Sequence, residues 1–242
     1  MKTRTLLFAA VMSLAFAAFA ELPAPIVDLK CNAGDFAALQ DVSANKCAVV
    51  LQNQDLMDWS DGPAGKTLTF KMENLASKQK RAGVGIRIPA TVDFSKGFTW
   101  LINFKTSADY KYKTRYQLLH FAQGVDKLTG ASLFIYWRGI RLRCGTESKT
   151  DIVSNAATMP IRPDTWYELA VTYDGKKAAI YLNGKLAAEA NEAAIPMPKM
   201  KTPTLQVGGT GPTGAGYGFE GVISKVQLYD RALTADEIAD ME

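Results

Sequence analysis

Residues 166–190 decide the fold and read Trp166-Tyr-Glu-Leu-Ala-Val-Thr-Tyr-Asp-Gly-Lys-Lys-Ala-Ala-Ile-Tyr-Leu-Asn-Gly-Lys-Leu-Ala-Ala-Glu-Ala190. Apolar and polar residues alternate over residues 168–173, and this period of two places one row of side chains on a core face. The dipeptides Asp174-Gly175 and Asn183-Gly184 favour tight turns, because Gly accepts a positive φ and Asn or Asp tolerates it. The stretch therefore predicts a three-stranded antiparallel meander with its turns at these two dipeptides.

Several segments downstream and upstream of this meander carry a family resemblance. They are Phe94-Ser-Lys-Gly-Phe-Thr-Trp100, Leu205-Gln-Val-Gly-Gly209, Phe219-Glu-Gly-Val-Ile223 and residues 226–238. Together with the meander they resemble the laminin-G-like jelly rolls of the concanavalin A-like lectin/glucanase superfamily, over roughly residues 83–242, whereas residues 21–80 match poorly. The resemblance implies an all-β protein with one antiparallel two-sheet β-sandwich, a jelly roll, and the capping box at Thr234 and Glu237 predicts a short C-terminal helix. It does not decide the function, because this fold carries both binding proteins and enzymes.

The first twenty residues have the pattern of a secretory signal peptide. A basic start is followed by an apolar core over residues 6–16 and by Ala18-Phe19-Ala20, a small-x-small cleavage site before Glu21. An uncleaved membrane anchor is the alternative, for which the apolar core is short. No later segment has the ~18 uncharged apolar residues that a membrane span needs. We therefore expect a secreted or periplasmic protein whose residues 21–242 form one domain.

The charge of the chain is nearly balanced. The 28 Lys and Arg residues, two of them in the leader, and the 24 Asp and Glu residues leave a net charge of +2 after cleavage. A nucleic-acid-binding domain would show a strong basic excess. We expect the partner to be a glycan or an extracellular protein, and not a nucleic acid.

The residues that the superfamily's enzymes use are missing. The resemblance implies that a glucanase would carry a Glu-x-Asp-x-Glu strand, whose alternate carboxylates share a face at the ~5 Å spacing of retaining glycosidases. No such triplet occurs here. A Ser-His-Asp triad or a metal site would have to rest on His120, the only histidine, which we interpret as a sheet residue with a satisfied hydrogen bond. We therefore expect no enzymatic activity.

Calcium is the metal that the resemblance brings into question. Laminin-G-like jelly rolls often bind Ca²⁺ through an acidic pair in their last long strand, and the resemblance places Ser224 and Lys225 at these two positions. Calcium takes several hard, negatively charged oxygen ligands, and a lysine opposes its binding. We predict no Ca²⁺ at this place and no cofactor, while a calcium site elsewhere in the chain stays open.

The three cysteines are an odd number for an exported protein. One disulfide and one free thiol follow from that count, and three pairings are possible. We favour Cys31–Cys47, because both residues lie in the N-terminal segment near predicted turns. Cys144 falls in step with Ile140 and Leu142, which predicts a buried free thiol on a core face.

Residues 133–144 give the clearest indication of a ligand site. They predict a β-hairpin with a tight connection at Arg138-Gly139. Arg141 and Arg143 then share one strand face, next to Tyr136 on the preceding strand. Guanidinium groups bind carboxylate or sulfate through two hydrogen bonds and aromatic rings stack on sugars, which is the chemistry of an acidic-glycan site. The alternative is an outward face that the arginines keep soluble.

Three further aromatic residues are candidate ligand contacts. Tyr116 belongs to a neighbouring strand pattern. Trp59 lies in a predicted loop, residues 58–65, where it would stack on a sugar or instead pack on the core. Tyr217 lies in the glycine-rich residues 208–218, which predict a loop at the rim of the sandwich, where ligand contacts are commonly placed.

These features predict an exported, non-catalytic recognition domain that binds carbohydrate. A divergent glycan-active enzyme and a protein-adhesion module are the alternatives. Two carboxylates facing each other across a cleft would favour the enzyme, and an aromatic-lined groove without such a pair would favour the lectin. A flat apolar patch of more than several hundred Å² would favour the adhesion module.

N-terminal sequencing of the native protein is expected to begin at Glu21, because the small residues Ala18 and Ala20 form the cleavage site. A mature protein that begins at Met1 or Lys2 would contradict the predicted leader.

Overall fold

The structure is a computed structural model that describes residues 22–73, 80–94, 96–123, 131–144, 151–153, 159–191, 203–209 and 217–241. The predicted leader, residues 1–20, lies outside these ranges. Within them the chain forms 17 strands, two short 3₁₀ turns (Phe36–Ala38 and Gln54–Leu56) and one α-helix, α1 (Ala235–Ala239).

Two antiparallel sheets make up the described structure. The first sheet has, in spatial order, β15 (Lys185–Ala190), β14 (Ala178–Leu182), β13 (Trp166–Tyr173), β8 (Phe98–Thr106), β17 (Gly221–Tyr229), β4 (Gly65–Phe70) and β3 (Met57–Gly62), with β1 (Val27–Lys30) also paired to β17. The second has β12 (Asp151–Val153), β11 (Gly139–Cys144), β10 (Ala131–Tyr136), β9 (Tyr116–Gln123), β16 (Pro203–Val207), β7 (Gly83–Arg87) and β2 (Val49–Gln52). A small ribbon pairs β5 (Met72–Glu73) with β6 (Lys80–Arg81). The predicted all-β jelly-roll sandwich is confirmed.

The core lies between the two sheets. On β8, the alternate residues Trp100, Ile102 and Phe104 are buried. The ring of Trp100 meets that of Phe121, on β9 of the second sheet, with centroids 6.4 Å apart. Because each large apolar side chain stabilises the fold by about 1.5–3 kcal/mol when fully buried, this row is a main source of stability.

The meander that the sequence predicts is present as β13, β14 and β15. Its first connection spans residues 174–177, where the Asp174 carboxylate accepts hydrogen bonds from the backbone N–H groups of Lys176 (2.9 Å) and Lys177 (2.7 Å). Its second connection is Asn183-Gly184, with φ of 50° and 66°. These positive φ values are those of a type I′ turn, whose twist matches the flanking strands.

The C-terminal helix begins with the predicted capping box. The Thr234 side chain accepts a hydrogen bond from the Glu237 N–H at 3.2 Å, and the Glu237 carboxylate accepts one from the Thr234 N–H at 2.8 Å. Leu233 and Ile238 are buried in one cluster, as expected for a hydrophobic staple. Helix α1, with five residues, is too short to cross a bilayer, and the described ranges hold no longer α-helix.

The predicted Cys31–Cys47 disulfide is not formed in the structure. Both residues are buried free thiols. The Cys31 Sγ lies 3.8 Å from the Leu29 carbonyl oxygen, and the Cys47 Sγ lies 3.8 Å from that of Ile26, so each thiol contacts a backbone acceptor of its own. Burial raises the pKa of both thiols to about 12 and keeps them protonated. The side chain of Cys144 lies outside the described part of the chain.

The predicted loop at residues 58–65 is largely strand. β3 continues to Gly62, and the hairpin with β4 closes where Gly62 pairs with Gly65. Trp59 is consequently a strand residue. It is half-buried against the core and its ring lies 5.4 Å from that of Phe36, so the structure shows the packing alternative.

His120 lies on the face of the second sheet that points away from the core. It is buried, and its Nδ1 lies 2.7 Å from the Ser132 Oγ on the neighbouring strand, which confirms the predicted hydrogen-bonded sheet histidine. Burial, together with the positive charge of Arg115, lowers the pKa of His120 from 6.5 to about 4.

Asp41 fastens the N-terminal segment. Its Oδ1 accepts hydrogen bonds from the backbone N–H groups of Asp28 (2.8 Å) and Ser43 (3.0 Å). Its Oδ2 accepts from the Ser43 hydroxyl (2.7 Å) and the Cys47 N–H (2.8 Å). Burial acts to raise the pKa of Asp41, but these hydrogen bonds to the charged form outweigh it and the pKa is lowered. The carboxylate of Asp41 thus accepts hydrogen bonds from three backbone N–H groups, those of Asp28, Ser43 and Cys47, and so connects three parts of the N-terminal segment.

Asp41→Asn is expected to lower the free energy of unfolding at pH 7 by about 1–3 kcal/mol, because an amide cannot replace the acceptor at Oδ2 and leaves buried donors unpaired. Since the folded pKa is lowered, the carboxylate's contribution is present above its unfolded pKa of about 3.9 and is lost as the pH falls through the folded value. Urea unfolding at pH 7 and pH 3 measures both effects. Asp61→Asn, which removes an exposed ion pair to Lys66, is the control and should change little. Equal stabilities of the two variants would contradict this role.

The ring of His120 is expected to stay neutral from pH 8 down to about pH 5. Below a pH of about 6.5 the unfolded chain takes up a proton that the folded chain excludes until about pH 4, so His120 makes the fold less stable over this range. Because the chain has one histidine, a single ring resonance in an NMR titration reports on it. A midpoint near 6.5 would show that the ring is solvated.

Candidate functional site

β10 and β11 form the predicted hairpin, with its turn one residue earlier than predicted. Tyr136 pairs with Gly139, so Trp137 and Arg138 are the central residues of the turn. Their φ values of 51° and 64° are those of a type I′ turn. The prediction of a connection at Arg138-Gly139 is therefore wrong by one residue, because Gly139 already belongs to the strand.

The register of this hairpin separates core side chains from site side chains. Four alternate residues are buried in the core: Leu133, Ile135, Ile140 and Leu142. Phe134 pairs directly with Arg141, and Arg143 pairs with Ser132. Arg141, Arg143 and Tyr136 therefore share the face opposite to the core, as the sequence predicts.

A cleft of about 870 Å³ lies beside this face. It is lined by five of the six predicted contact residues: Tyr116, Tyr136, Arg141, Arg143 and Tyr217. The sixth, Trp59, lies on β3 of the first sheet. Six basic residues line the cleft, namely Arg81, Lys111, Lys113, Arg115, Arg141 and Arg143, with three acidic ones, Glu73, Asp109 and Glu220. The cleft has the size of a ligand site and an excess of positive charge.

Arg115 is held in the cleft by two aromatic rings and a hydrogen bond. Its guanidinium carbon lies 3.8 Å from the centroid of the Phe134 ring and 4.3 Å from that of Tyr217. Its Nη2 also donates a hydrogen bond to the Gln117 Oε1 at 3.0 Å. The Gln117 amide is fixed in turn, because its Nε2 donates to the carbonyl oxygen of Leu119 at 2.6 Å. A guanidinium held between two rings keeps its plane in one orientation.

The two predicted arginines also lie over aromatic rings. The guanidinium carbon of Arg143 is 5.5 Å from the centroid of Phe134, and that of Arg141 is 5.1 Å from that of Tyr136. Phe134 therefore contacts two arginines, Arg115 and Arg143. Aromatic rings and guanidinium groups alternate along this wall of the cleft.

A β-bulge changes the role of Tyr116. The pairing of β9 with β10 shifts between Leu133 and Phe134, so that Leu119 and Gln117 are opposite consecutive residues. Tyr116 consequently does not share the face of His120, although the strand pattern places both in step. It is buried, its hydroxyl accepts a hydrogen bond from the Lys111 N–H at 3.1 Å, and it forms an end wall of the cleft rather than an open stacking surface.

Arg81 is a cleft residue that the sequence analysis missed. Its Nε and Nη1 are buried and have no hydrogen-bond partner in the described part of the chain. Burial lowers the pKa of Arg81, against the effect of the neighbouring Tyr217. An added Cβ at Gly218 would lie 2.8 Å from the Arg81 Cδ, so the glycine leaves room for this side chain. Buried donors without acceptors are costly, and a bound anion would supply the acceptors.

Within the ranges that the structure describes, no group of three or more His, Cys, Asp or Glu side chains is placed to hold a metal ion. Ser224 and Lys225 occupy the positions where laminin-G-like jelly rolls often carry the acidic pair that binds Ca²⁺. Ser224 lies at a bulge of β17, and Lys225 pairs with Asn103 of β8. The absence of calcium there stays a prediction.

Solved structures of similar fold include binding domains of botulinum neurotoxins. The serotype D/C VPI 5993 binding domain has a TM-score of 0.67 and 14% identity, and the match covers 90% of this chain and 51% of that one. The neurotoxin DC binding domain in complex with rat synaptotagmin II has a TM-score of 0.65 and 13% identity, with 90% and 51% covered. The same domain in complex with SialylT has a TM-score of 0.65 and 13% identity, with 90% and 50% covered. The chain thus spans about half the length of these structures, and at such identity the likeness shows the fold.

The sequence comparison identifies the family. No curated protein sequence matches the chain. A family model described as the concanavalin A-like lectin/glucanases superfamily matches residues 81–239, well over half of the chain. This chain therefore belongs to the concanavalin A-like lectin/glucanase superfamily.

Proposed function

We propose that this chain is an exported, non-catalytic recognition domain that binds an acidic carbohydrate in the cleft beside β10 and β11. The observation that carries the proposal is the shared face of Arg141, Arg143 and Tyr136, next to the fixed guanidinium of Arg115. Export rests on the signal-peptide pattern of residues 1–20.

The chemistry of the cleft suits sugars that carry a carboxylate or a sulfate. A guanidinium fork makes two parallel hydrogen bonds to such a group, and each charge-assisted bond contributes about 1.5–3 kcal/mol, less where water has access. Tyr136 and Tyr217 present aromatic surface to the apolar face of a pyranose. Because Arg115 is already held between Phe134 and Tyr217, little conformational entropy is lost when a ligand binds.

Structures of similar fold support a binding role. The neurotoxin DC domain has been solved with SialylT, and the type C neurotoxin, at 13% identity, is described as dependent upon two ganglioside molecules for cell entry. The neurotoxin DC binding domain has also been solved in complex with a protein, rat synaptotagmin II. A protein partner is accordingly the alternative ligand of an adhesion module.

A glycan-active enzyme is the second candidate, because Glu73, Asp109 and Glu220 line the same cleft as the arginines. A glycosidase needs two carboxyl groups at a fixed separation across the bond that it cleaves. Incubation of the protein with the oligosaccharide that it binds, followed by an assay for new reducing ends, separates the two functions. The proposed binding function expects no new reducing ends. New reducing ends that appear with the wild type but not with Glu220→Gln would establish the enzyme instead.

The double variant Arg141→Glu with Arg143→Glu is expected to lower the affinity for an acidic oligosaccharide about 100-fold or more. It replaces two cationic hydrogen-bond donors by carboxylates, which repel the negative charges of the ligand. Binding of a galacturonic acid hexasaccharide, a sulfated hexasaccharide and a neutral glucose hexasaccharide is measured by calorimetry. The neutral sugar should bind most weakly, and higher salt should weaken binding of the acidic ones.

Lys176→Glu with Lys185→Glu is the matched control for this variant. It makes the same change in net charge at two exposed residues at the turns of the meander, away from the cleft. Circular dichroism checks that both variants are folded. Equal loss in the control, or unchanged binding by the arginine variant, would show that the cleft is not the site.

A further inference from the structure

The exposed aromatic side chains are not spread over the molecule. In the described part of the chain, the aromatic residues exposed by more than a third are Tyr112 (40%), Trp137 (47%) and Tyr217 (48%). Tyr217 lines the cleft, and Trp137 directly follows the cleft residue Tyr136. Tyr112 meets Trp137 with ring centroids 5.8 Å apart. Exposed aromatic surface in the described part of the chain is thus gathered at the cleft and at the β10–β11 turn next to it.

The turn that presents Trp137 is built from unfavourable residues. Trp137 and Arg138 adopt φ of 51° and 64°, a region that bulky residues rarely occupy. The Asn183-Gly184 turn has nearly the same φ values, 50° and 66°, with residues that prefer them. The same chain therefore has favourable residues in one type I′ turn, Asn183-Gly184, and unfavourable residues in the other, Trp137-Arg138. Strain of this kind commonly accompanies a functional side chain.

Contacts with the neighbouring loop hold this turn in place. The Trp137 N–H donates a hydrogen bond to the Tyr112 carbonyl oxygen at 2.8 Å, and the Arg138 carbonyl oxygen accepts one from the Ile161 N–H at 2.9 Å. The Trp137 ring also stands edge-on to Tyr136, with centroids 6.0 Å apart. The exposed indole is therefore positioned by the fold before any ligand arrives.

Cations accompany the aromatic rings beyond the cleft. The Lys113 Nζ lies 5.7 Å from the centroid of the Trp137 ring, and the Arg138 guanidinium carbon lies 5.0 Å from that of Tyr112. Since Lys113 also lines the cleft, the alternation of rings and cations continues from the cleft onto the turn. A ligand that meets this series needs an apolar face and a negative charge that recur along its length.

We propose that Trp137 and Tyr112 form a second subsite, which stacks on a further sugar of a linear, repeatedly charged oligosaccharide whose first acidic sugar lies in the cleft. This inference rests on the proposed function and specifies its ligand as an oligosaccharide rather than a single terminal sugar. Lys113 lies between the two subsites and pairs with the acid group of the sugar that bridges them.

The chemistry of the turn favours a glycan over a membrane surface. Trp137 is flanked by tyrosines, Lys113 and Arg138, and the exposed aliphatic side chains of the described ranges, Val42, Val50 and Leu186, belong to other segments of the chain. The third exposed ring, that of Tyr217, lies in the cleft, where it packs against the Arg115 guanidinium and not against the turn. The three exposed rings therefore extend from the cleft to the adjoining turn, an arrangement that suits an extended ligand better than a planar bilayer.

The test measures affinity against oligosaccharide length. Calorimetry with the di-, tetra- and hexasaccharides of galacturonic acid compares the wild-type chain with Trp137→Asn. We expect the wild type to bind the longer sugars about tenfold more tightly than the disaccharide, and the variant to lose this gain while its disaccharide affinity is unchanged. Because asparagine tolerates a positive φ, Trp137→Asn should unfold at a higher temperature than the wild type, so that its loss of affinity cannot come from misfolding.

Two further variants serve as controls. Trp137→Tyr keeps a ring and should retain most of the gain with length. Leu186→Ala removes an equally exposed apolar side chain on β15 and should behave as the wild type. Cosedimentation with vesicles of phosphatidylcholine and phosphatidylserine (3:1) is measured for the same variants, and we expect no dependence on Trp137.

Each contrary result has a distinct meaning. If the wild type binds none of the sugars, the proposed function and this inference both fail. If Trp137→Asn keeps the gain with length, the second subsite is wrong while the proposed function stands. An equal loss for disaccharide and hexasaccharide would place Trp137 in the first subsite and overturn the inference. Loss of vesicle binding with unchanged sugar binding would identify a membrane contact instead.

Discussion

The pairing of Phe134 with Arg141 is the constraint on which both the core and the cleft depend. Successive side chains of a strand point to opposite faces, so a slip of one residue would exchange all of them. Such a slip of β11 would bring Leu142 to the cleft and force Arg141 into the apolar interior. An unpaired charge in the core costs several kcal/mol, and the burial that stabilises the sandwich therefore also determines which side chains face the cleft.

The cleft combines an excess of positive charge with arginines that are stacked on aromatic rings. The whole chain carries only +4, yet three arginines lie over the rings of Phe134 and Tyr136. A stacked guanidinium cannot turn freely, and its planar fork matches a carboxylate or a sulfate, whereas an ammonium acts as a point charge. Lys111 and Lys113 add charge to the same cleft on flexible stems. In the proposed binding function, the arginines would supply geometric selectivity and the lysines attraction over a longer range.

Much of the fold and part of the cleft could be predicted from alternation and turn residues. The meander, the capped helix and the common face of Arg141 and Arg143 all follow from periods, turn residues or capping residues that are local in sequence. Arg115 and Arg81 were missed because a β-bulge and a two-stranded ribbon bring them to the cleft, and neither has a local signal. The predicted Cys31–Cys47 disulfide was wrong for a related reason, since the number of cysteines does not show where each sulfur points.

Two of the places where local rules fail lie on the cleft side of the second sheet. The bulge of β9 separates Tyr116 from the face of His120 and lets Gln117 hold Arg115. The turn prediction was wrong by one residue because glycine is the usual residue for a positive φ, while here Trp137 adopts it. In the meander, which carries no cleft residue, Asn183-Gly184 obeys the rule. Natural sequences depart from the best local choice chiefly where a side chain is needed for something other than stability. By that argument the β10–β11 turn owes its sequence to what it contacts, and the meander turn owes its sequence to the fold.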